Sequence, residues 1–95
     1  IQQKTLNQIL SENSIKTINY LNIDVEGYEM NVLKGFNIRK YLPNLVSIEI
    51  HDVNCPPIKN DIYKYFMKNK YRLVSIYGWT YFFEQKRNSK IHFKI

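Results

Sequence analysis

The stretch Leu21-Asn22-Ile23-Asp24-Val25-Glu26-Gly27-Tyr28-Glu29 does most to restrict what this chain can become. Leu21, Ile23 and Val25 point one way along an extended segment and Asp24 points the other. Past the glycine, Met30, Leu33 and Phe36 recur at near-helical spacing. A strand therefore hands over directly to a helix, and carboxylates line the junction. In open α/β sheets, ligands sit outside the carboxyl ends of the strands, and Asp24 and Glu26 lie where such a ligand would be. Carboxylates beside a helix N-terminus also accept its free N–H groups and complement its dipole. Asp24 and Glu26 thus read either as caps or as site residues, and Glu29 reads as first-turn charge.

Around this junction the pattern is regular. Thr5 to Asn13 is a short helix with Leu6, Ile9 and Leu10 on one face and Thr5 or Asn7 as its cap. Ser11 to Thr17 is polar and loop-like. Ile18 to Val25 is the first strand, and Gly27 to Lys34 is a helix with Gly35 as a left-handed C-terminal cap. A further helical turn spans Ile38 to Leu42 and stops at Pro43. Leu45 to Ile50 is the second strand, with Val46, Ile48 and Ile50 on one side and Leu45, Ser47 and Glu49 on the other. After a loop, Ile58 to Asn69 forms a helix whose buried stripe is Ile58, Ile62, Tyr65 and Phe66. Tyr71 to Tyr77 and Thr80 to Glu84 are strands separated by a turn at Gly78-Trp79. A polar loop, Gln85 to Lys90, leads to a last alternating strand, Ile91 to Ile95. Strand–helix–strand repeats imply parallel pairing with crossover helices, and a terminal antiparallel hairpin adds one edge.

Two strand ends carry the candidate chemistry. The first delivers Asp24 and Glu26, the second Glu49, His51 and Asp52. Adjacent parallel strands bring both sets to one rim, where a carboxylate and a histidine serve as general base and orienter. His51 also reads as an ordinary loop histidine. Asp24, Glu26, His51 and Asp52 are all metal donors, but no tight ligand motif is present and no metal is assigned. Cys55 has no activating neighbour in sequence and precedes two prolines, which suits a plain loop thiol.

Composition narrows the partners. The 95 residues, 44% hydrophobic, suit one small domain. No apolar run approaches a membrane span and no signal peptide is visible. The single cysteine suits a reducing compartment, so a cytoplasmic location is expected. A net charge of +6 admits an acidic partner, and lysines interleaved with Tyr63, Tyr65, Tyr71, Tyr77, Trp79, Tyr81, Phe82 and Phe83 suggest stacking on single-stranded nucleic acid. The lysines are scattered, however, and the aromatic spacing fits buried faces, so core packing is preferred and nucleic acid is not the expected partner. A basic binding module remains the rival reading, marked by steep salt dependence of binding.

Thr5-Leu6-Asn7-Gln8-Ile9-Leu10, Tyr20 to Glu29, Val32-Leu33-Lys34-Gly35, Pro43 and Ser47-Ile48-Glu49-Ile50-His51 together resemble the FkbM family of S-adenosylmethionine-dependent methyltransferases. The match is close over the first half of the chain. The resemblance implies a class I (Rossmann-like) methyltransferase fold, a mostly parallel seven-stranded sheet with a reversed last strand. Ile18 to Val25 would be its fourth strand and Leu45 to Ile50 its fifth. Residues 1–95 would be a partial domain, the C-terminal half. The implied activity is O-methylation of a hydroxyl on a sugar or natural product. Asp24 and His51 are the expected catalytic residues, and Glu26 and Glu49 the expected contacts to a small-molecule or glycan substrate. The S-adenosylmethionine site is expected mainly in a preceding half, so the chain alone is expected to be inactive.

Overall fold

In the computed structural model, which describes residues 4–51 and 55–86, strand alternation and strand pairing agree. β1 (Tyr20–Ile23) and β2 (Leu45–Glu49) are adjacent and parallel, with Leu21 opposite Val46, Asn22 opposite Ser47 and Ile23 opposite Ile48. Ile23, Val46 and Ile48 are buried on one face. On the other face, Ser47 is also buried but polar. It donates to Asn22 Oδ1 at 2.6 Å and bonds the Tyr20 hydroxyl. This network satisfies the buried Ser47 hydroxyl, with the exposed Asn22 of β1 reaching across the strands to accept from it. β1 is shorter than the apolar run suggests. Val25, expected to face inward, is 39% exposed because the chain has already turned away from the sheet.

The helices before and between these strands are short. α1 (Leu6–Glu12) begins in a capping box, Thr5 accepting from the Gln8 N–H and Gln8 reaching back to the Thr5 N–H. Ile9 faces outward, 45% exposed, while Leu6 and Leu10 pack on the core. α2 (Glu29–Lys34) and α3 (Ile38–Tyr41) follow β1. Gly35 is not a left-handed cap, since its φ is −93°. Its value is close approach: a Cβ there would lie 2.9 Å from the Thr5 Cβ. The Gly35 carbonyl accepts from the Asn7 N–H at 2.9 Å, and Asn7 Oδ1 accepts from the Asn37 N–H at 2.7 Å. Asn7 therefore ties α1 to the α2–α3 link rather than capping its own helix. The left-handed residue is Leu42, φ 46°, just before Pro43.

Two corrections concern the second half. The expected helix from Ile58 is split into a 3₁₀ turn, Pro57–Lys59, and α4 (Asp61–Lys68), because the Asn60 side chain accepts from the Ile62 and Tyr63 N–H groups and starts a new helix. Ile58 thereby leaves the buried stripe and is 65% exposed. The antiparallel hairpin also comes earlier than expected. β3 (Tyr71–Tyr77) and β4 (Thr80–Gln85) pair across Gly78-Trp79, and the sheet order is β1-β2-β4-β3. Gly78 has φ 61°, the geometry a two-residue hairpin asks of its first central residue. The reversed strand therefore lies inside the described sheet, between β2 and β3, and Gln85 belongs to it rather than to a loop. The expected strand Ile91 to Ile95 and most of the loop before it lie outside the described residues.

The core gathers beneath this sheet. Phe66 stacks on Phe83 with ring centroids 4.2 Å apart and meets Tyr71 edge-on at 5.6 Å. The buried Tyr71 hydroxyl donates to the Pro43 carbonyl at 2.6 Å. Tyr77 and Trp79 were expected among the packed aromatics, but they are 81% and 47% exposed at the hairpin tip.

Candidate functional site

The period-two alternation that builds β1 and β2 also builds the site. Asn22 faces Ser47; two residues further along each strand come Asp24 and Glu49, on the same face at the carboxyl ends. Hydrogen bonding with the Glu49 side chain, then repulsion from the Glu49 charge and slight desolvation, raise Asp24 above its ordinary 3.8, and the nearby His51 opposes the shift. Two residues beyond Glu49, His51 returns to the same side, and its Nε2 lies 3.1 Å from Glu49 Oε2. Asp24, Glu49 and His51 thus form one connected row across two strand ends. Asp52 lies outside the described residues.

Neither Asp24 nor Glu26 caps α2. The residue before that helix, Tyr28, makes no side-chain cap bond. The carboxylate that binds backbone N–H groups at this junction is Glu29, which is buried, 5% exposed, rather than a plain surface charge. Its Oε2 accepts from the Val25 N–H at 3.2 Å and its Oε1 from the Gly27 N–H at 3.0 Å. It reaches backward over a turn in which Glu26 and Gly27 both have positive φ, 47° and 98°. The sequence signal for this was available: an acid two residues after a glycine at a strand–helix junction can fold back on the turn.

A cleft of about 620 Å³ opens beside the row, lined by Glu26, Glu29, Glu49, His51, Asn60 and Ile62 among others. A slightly larger groove, about 650 Å³, runs between α1 and α2, but Leu6, Ile9, Tyr28 and Val32 dominate it and no acid enters it. The titratable groups point to the first cleft. Glu26 lines this cleft without joining the Asp24–Glu49–His51 row. Among the described residues no group of three or more metal-ligating side chains is placed to hold an ion.

One residue of the rim was not foreseen. Trp79, at the β3–β4 hairpin tip, sets its indole against the His51 ring, with centroids 5.0 Å apart and planes tilted by 34°. Its carbonyl accepts from the Ile50 N–H at 2.9 Å. Glycine before tryptophan in sequence signals a turn; only the insertion of β4 beside β2 places that turn at this rim.

Among the described residues no helix is long and apolar enough to cross a membrane. The family profile described as Methyltransferase FkbM domain matches residues 1–73. No curated protein and no solved structure matches the chain significantly.

Proposed function

The chain belongs to the FkbM methyltransferase family, and from that premise we propose that the intact protein methylates a hydroxyl oxygen of a sugar or natural product, with S-adenosylmethionine as donor. Asp24 and His51 handle the proton, and Glu26 and Glu49 contact the acceptor. The observation that carries this reading is the connected row of Asp24, Glu49 and His51 at the carboxyl ends of two parallel strands, beside an open cleft. The reversed β4 inside the sheet fits the reversed last strand that a class I methyltransferase requires, with β1 and β2 as its fourth and fifth strands.

The chemistry asks for little beyond positioning and a proton acceptor. When a neutral hydroxyl oxygen gains a methyl group, the O–H bond must break and its proton must leave. Glu49 holds one imidazole nitrogen, which leaves the other free to accept that proton. The Asp24 and Glu49 carboxyl groups, side by side at the strand ends, offer oxygen acceptors to neighbouring hydroxyls. Glu26, which lines the same cleft, adds a further acceptor.

S-adenosylmethionine would supply an electrophilic methyl group. The residues here do not fit that donor by themselves. The three glycines, Gly27, Gly35 and Gly78, lie far apart, so no glycine-rich turn exists to cradle it. On the family template such a turn belongs to a strand neighbouring β1, whose outer edge is unpaired among the described residues.

The test is label transfer by the intact protein from methyl-labelled S-adenosylmethionine to a panel of mono- and oligosaccharides. Label on a carbohydrate oxygen is expected, with kcat falling at least 100-fold in His51→Ala and Asp24→Asn while the melting temperature stays close to wild type. Label found instead on nitrogen, or full activity in both variants, overturns the assignment.

A further inference from the structure

The geometry points to Trp79 as a positioning residue for His51. The inference rests on reading His51 as the proton acceptor of methyl transfer, and it concerns how that ring is kept in place.

His51 has little local support of its own. β2 ends at Glu49, so the strand ladder does not extend to residue 51, and the imidazole is half exposed. Its hydrogen bond to Glu49 fixes a single nitrogen. A ring held at one atom on the end of a strand can swing about its side-chain bonds and trade nitrogens.

Trp79 supplies the two constraints that are missing, from one residue to two consecutive positions. Its carbonyl accepts the Ile50 N–H and so adds one rung beyond the Glu49–Thr80 pair, fixing the backbone just before His51. Its indole then packs on the imidazole. The hairpin does not demand an aromatic residue here, since Gly78 already supplies the positive φ. Nor does the core demand it, since Trp79 remains 47% exposed. A large aromatic that neither makes the turn nor fills the core, yet touches a single functional side chain, is explained by that contact.

Among the described residues, the other groups around the imidazole are acidic or neutral. Glu49 comes from β2 and Asp24 from the end of β1. Glu26 precedes α2, Glu29 is its first residue, and Asn60 is the cap of α4. In this setting Trp79 keeps the ring in the rotamer in which Nε2–H donates to Glu49 and Nδ1 stays open. With a sulfonium methyl donor bound, an oxygen lone pair of the acceptor would form the new bond to carbon while the carbon–sulfur bond breaks with its pair on sulfur; the O–H pair would stay on oxygen and His51 Nδ1 would take the proton.

The experiment uses the intact protein carrying Trp79→Ala and Trp79→Phe. Side-chain ¹⁵N shifts of His51 report which nitrogen carries hydrogen. Wild type and Trp79→Phe are expected to show a single Nε2–H tautomer, and Trp79→Ala a mixture. In the same series kcat falls at least tenfold in Trp79→Ala with KM within about twofold, and Trp79→Phe recovers most of it; a 1 Å misplacement of a reacting group costs about 100-fold. Should Trp79→Ala not fold, Trp79→Leu keeps the bulk without the aromatic face and is read in the same way. A variant lacking the ring that melts lower but keeps one tautomer and wild-type kcat overturns the inference. If the wild type itself transfers no methyl group, the functional reading fails, and the tautomer ratio still decides the role of Trp79.

Discussion

Removing the Glu29 carboxylate should loosen the turn that presents the site. Glu29 accepts two backbone N–H groups, at 3.2 Å from Val25 and 3.0 Å from Gly27. Hydrogen bonds to a charged group contribute about 1.5–3 kcal/mol each. Both distances are long for charge-assisted bonds, so the lower end applies and the pair contributes about 3 kcal/mol. Val25 and Gly27 are exposed enough for water to replace part of this, which brings the expected cost of Glu29→Ala to about 2–3 kcal/mol. Glu29→Gln keeps one oxygen acceptor and loses the charge, so it should cost about half as much. Urea unfolding of the intact protein measures both values, and amide exchange at Val25 and Gly27 locates the effect. Two variants within about 0.5 kcal/mol of wild type, with unchanged protection at these amides, would refute the claim that Glu29 clamps the turn.

Two further outcomes follow from the same junction. Gly27→Ala should cost about 1–3 kcal/mol, because φ is 98° while the added methyl group meets nothing within 4 Å, and an equilibrium unfolding curve separates this pure backbone effect from packing. The Asp24–Glu49 contact should make stability pH-dependent in an unusual direction. The folded state raises the Asp24 value, so its contribution is full below the ordinary 3.8 and is lost as pH climbs through the raised value; unfolding curves from pH 3.5 to 7 should show this decline in wild type and not in Asp24→Asn.

Legibility in the sequence followed the strength of each local signal. The β1–β2 pairing could be read because its alternation is strict and a helical pattern intervenes. Adjacent parallel strands also imply that Asp24 and Glu26 meet Glu49 and His51 at one rim; that Asp24, Glu49 and His51 form the row while Glu26 stays apart is visible only in the structure. The roles of the acids at the junction were harder. Three carboxylates within six residues look alike in sequence, and which one folds back depends on the positive φ values at Glu26 and Gly27. The length of α4 was misjudged because Asn60 competes for the helix start, a choice that hydrophobic spacing does not register. Ile58 followed it out of the core. Gly35 was read as a left-handed cap because glycine after a helix commonly is one, while its actual constraint, contact with Thr5, comes from a residue 30 positions earlier.

The insertion of β4 between β2 and β3 has the largest consequence for the site. Had β3 paired directly with β2 through a parallel crossover, the rim beside His51 would have ended in a strand terminus leading into a longer connection. Reversal of β4 closes the chain there with a two-residue hairpin. A short hairpin holds its tip by pairing on both sides, so it has fewer conformations than a free strand end. The residue at that tip inherits this order. The Trp79 carbonyl continues the ladder to Ile50, and its ring is delivered to His51 by the sheet itself. The same reversal that removes a parallel neighbour from β2 thus gives its carboxyl end a hairpin neighbour, and the row from Asp24 through Glu49 and His51 to Trp79 runs across elements that are hydrogen-bonded to each other.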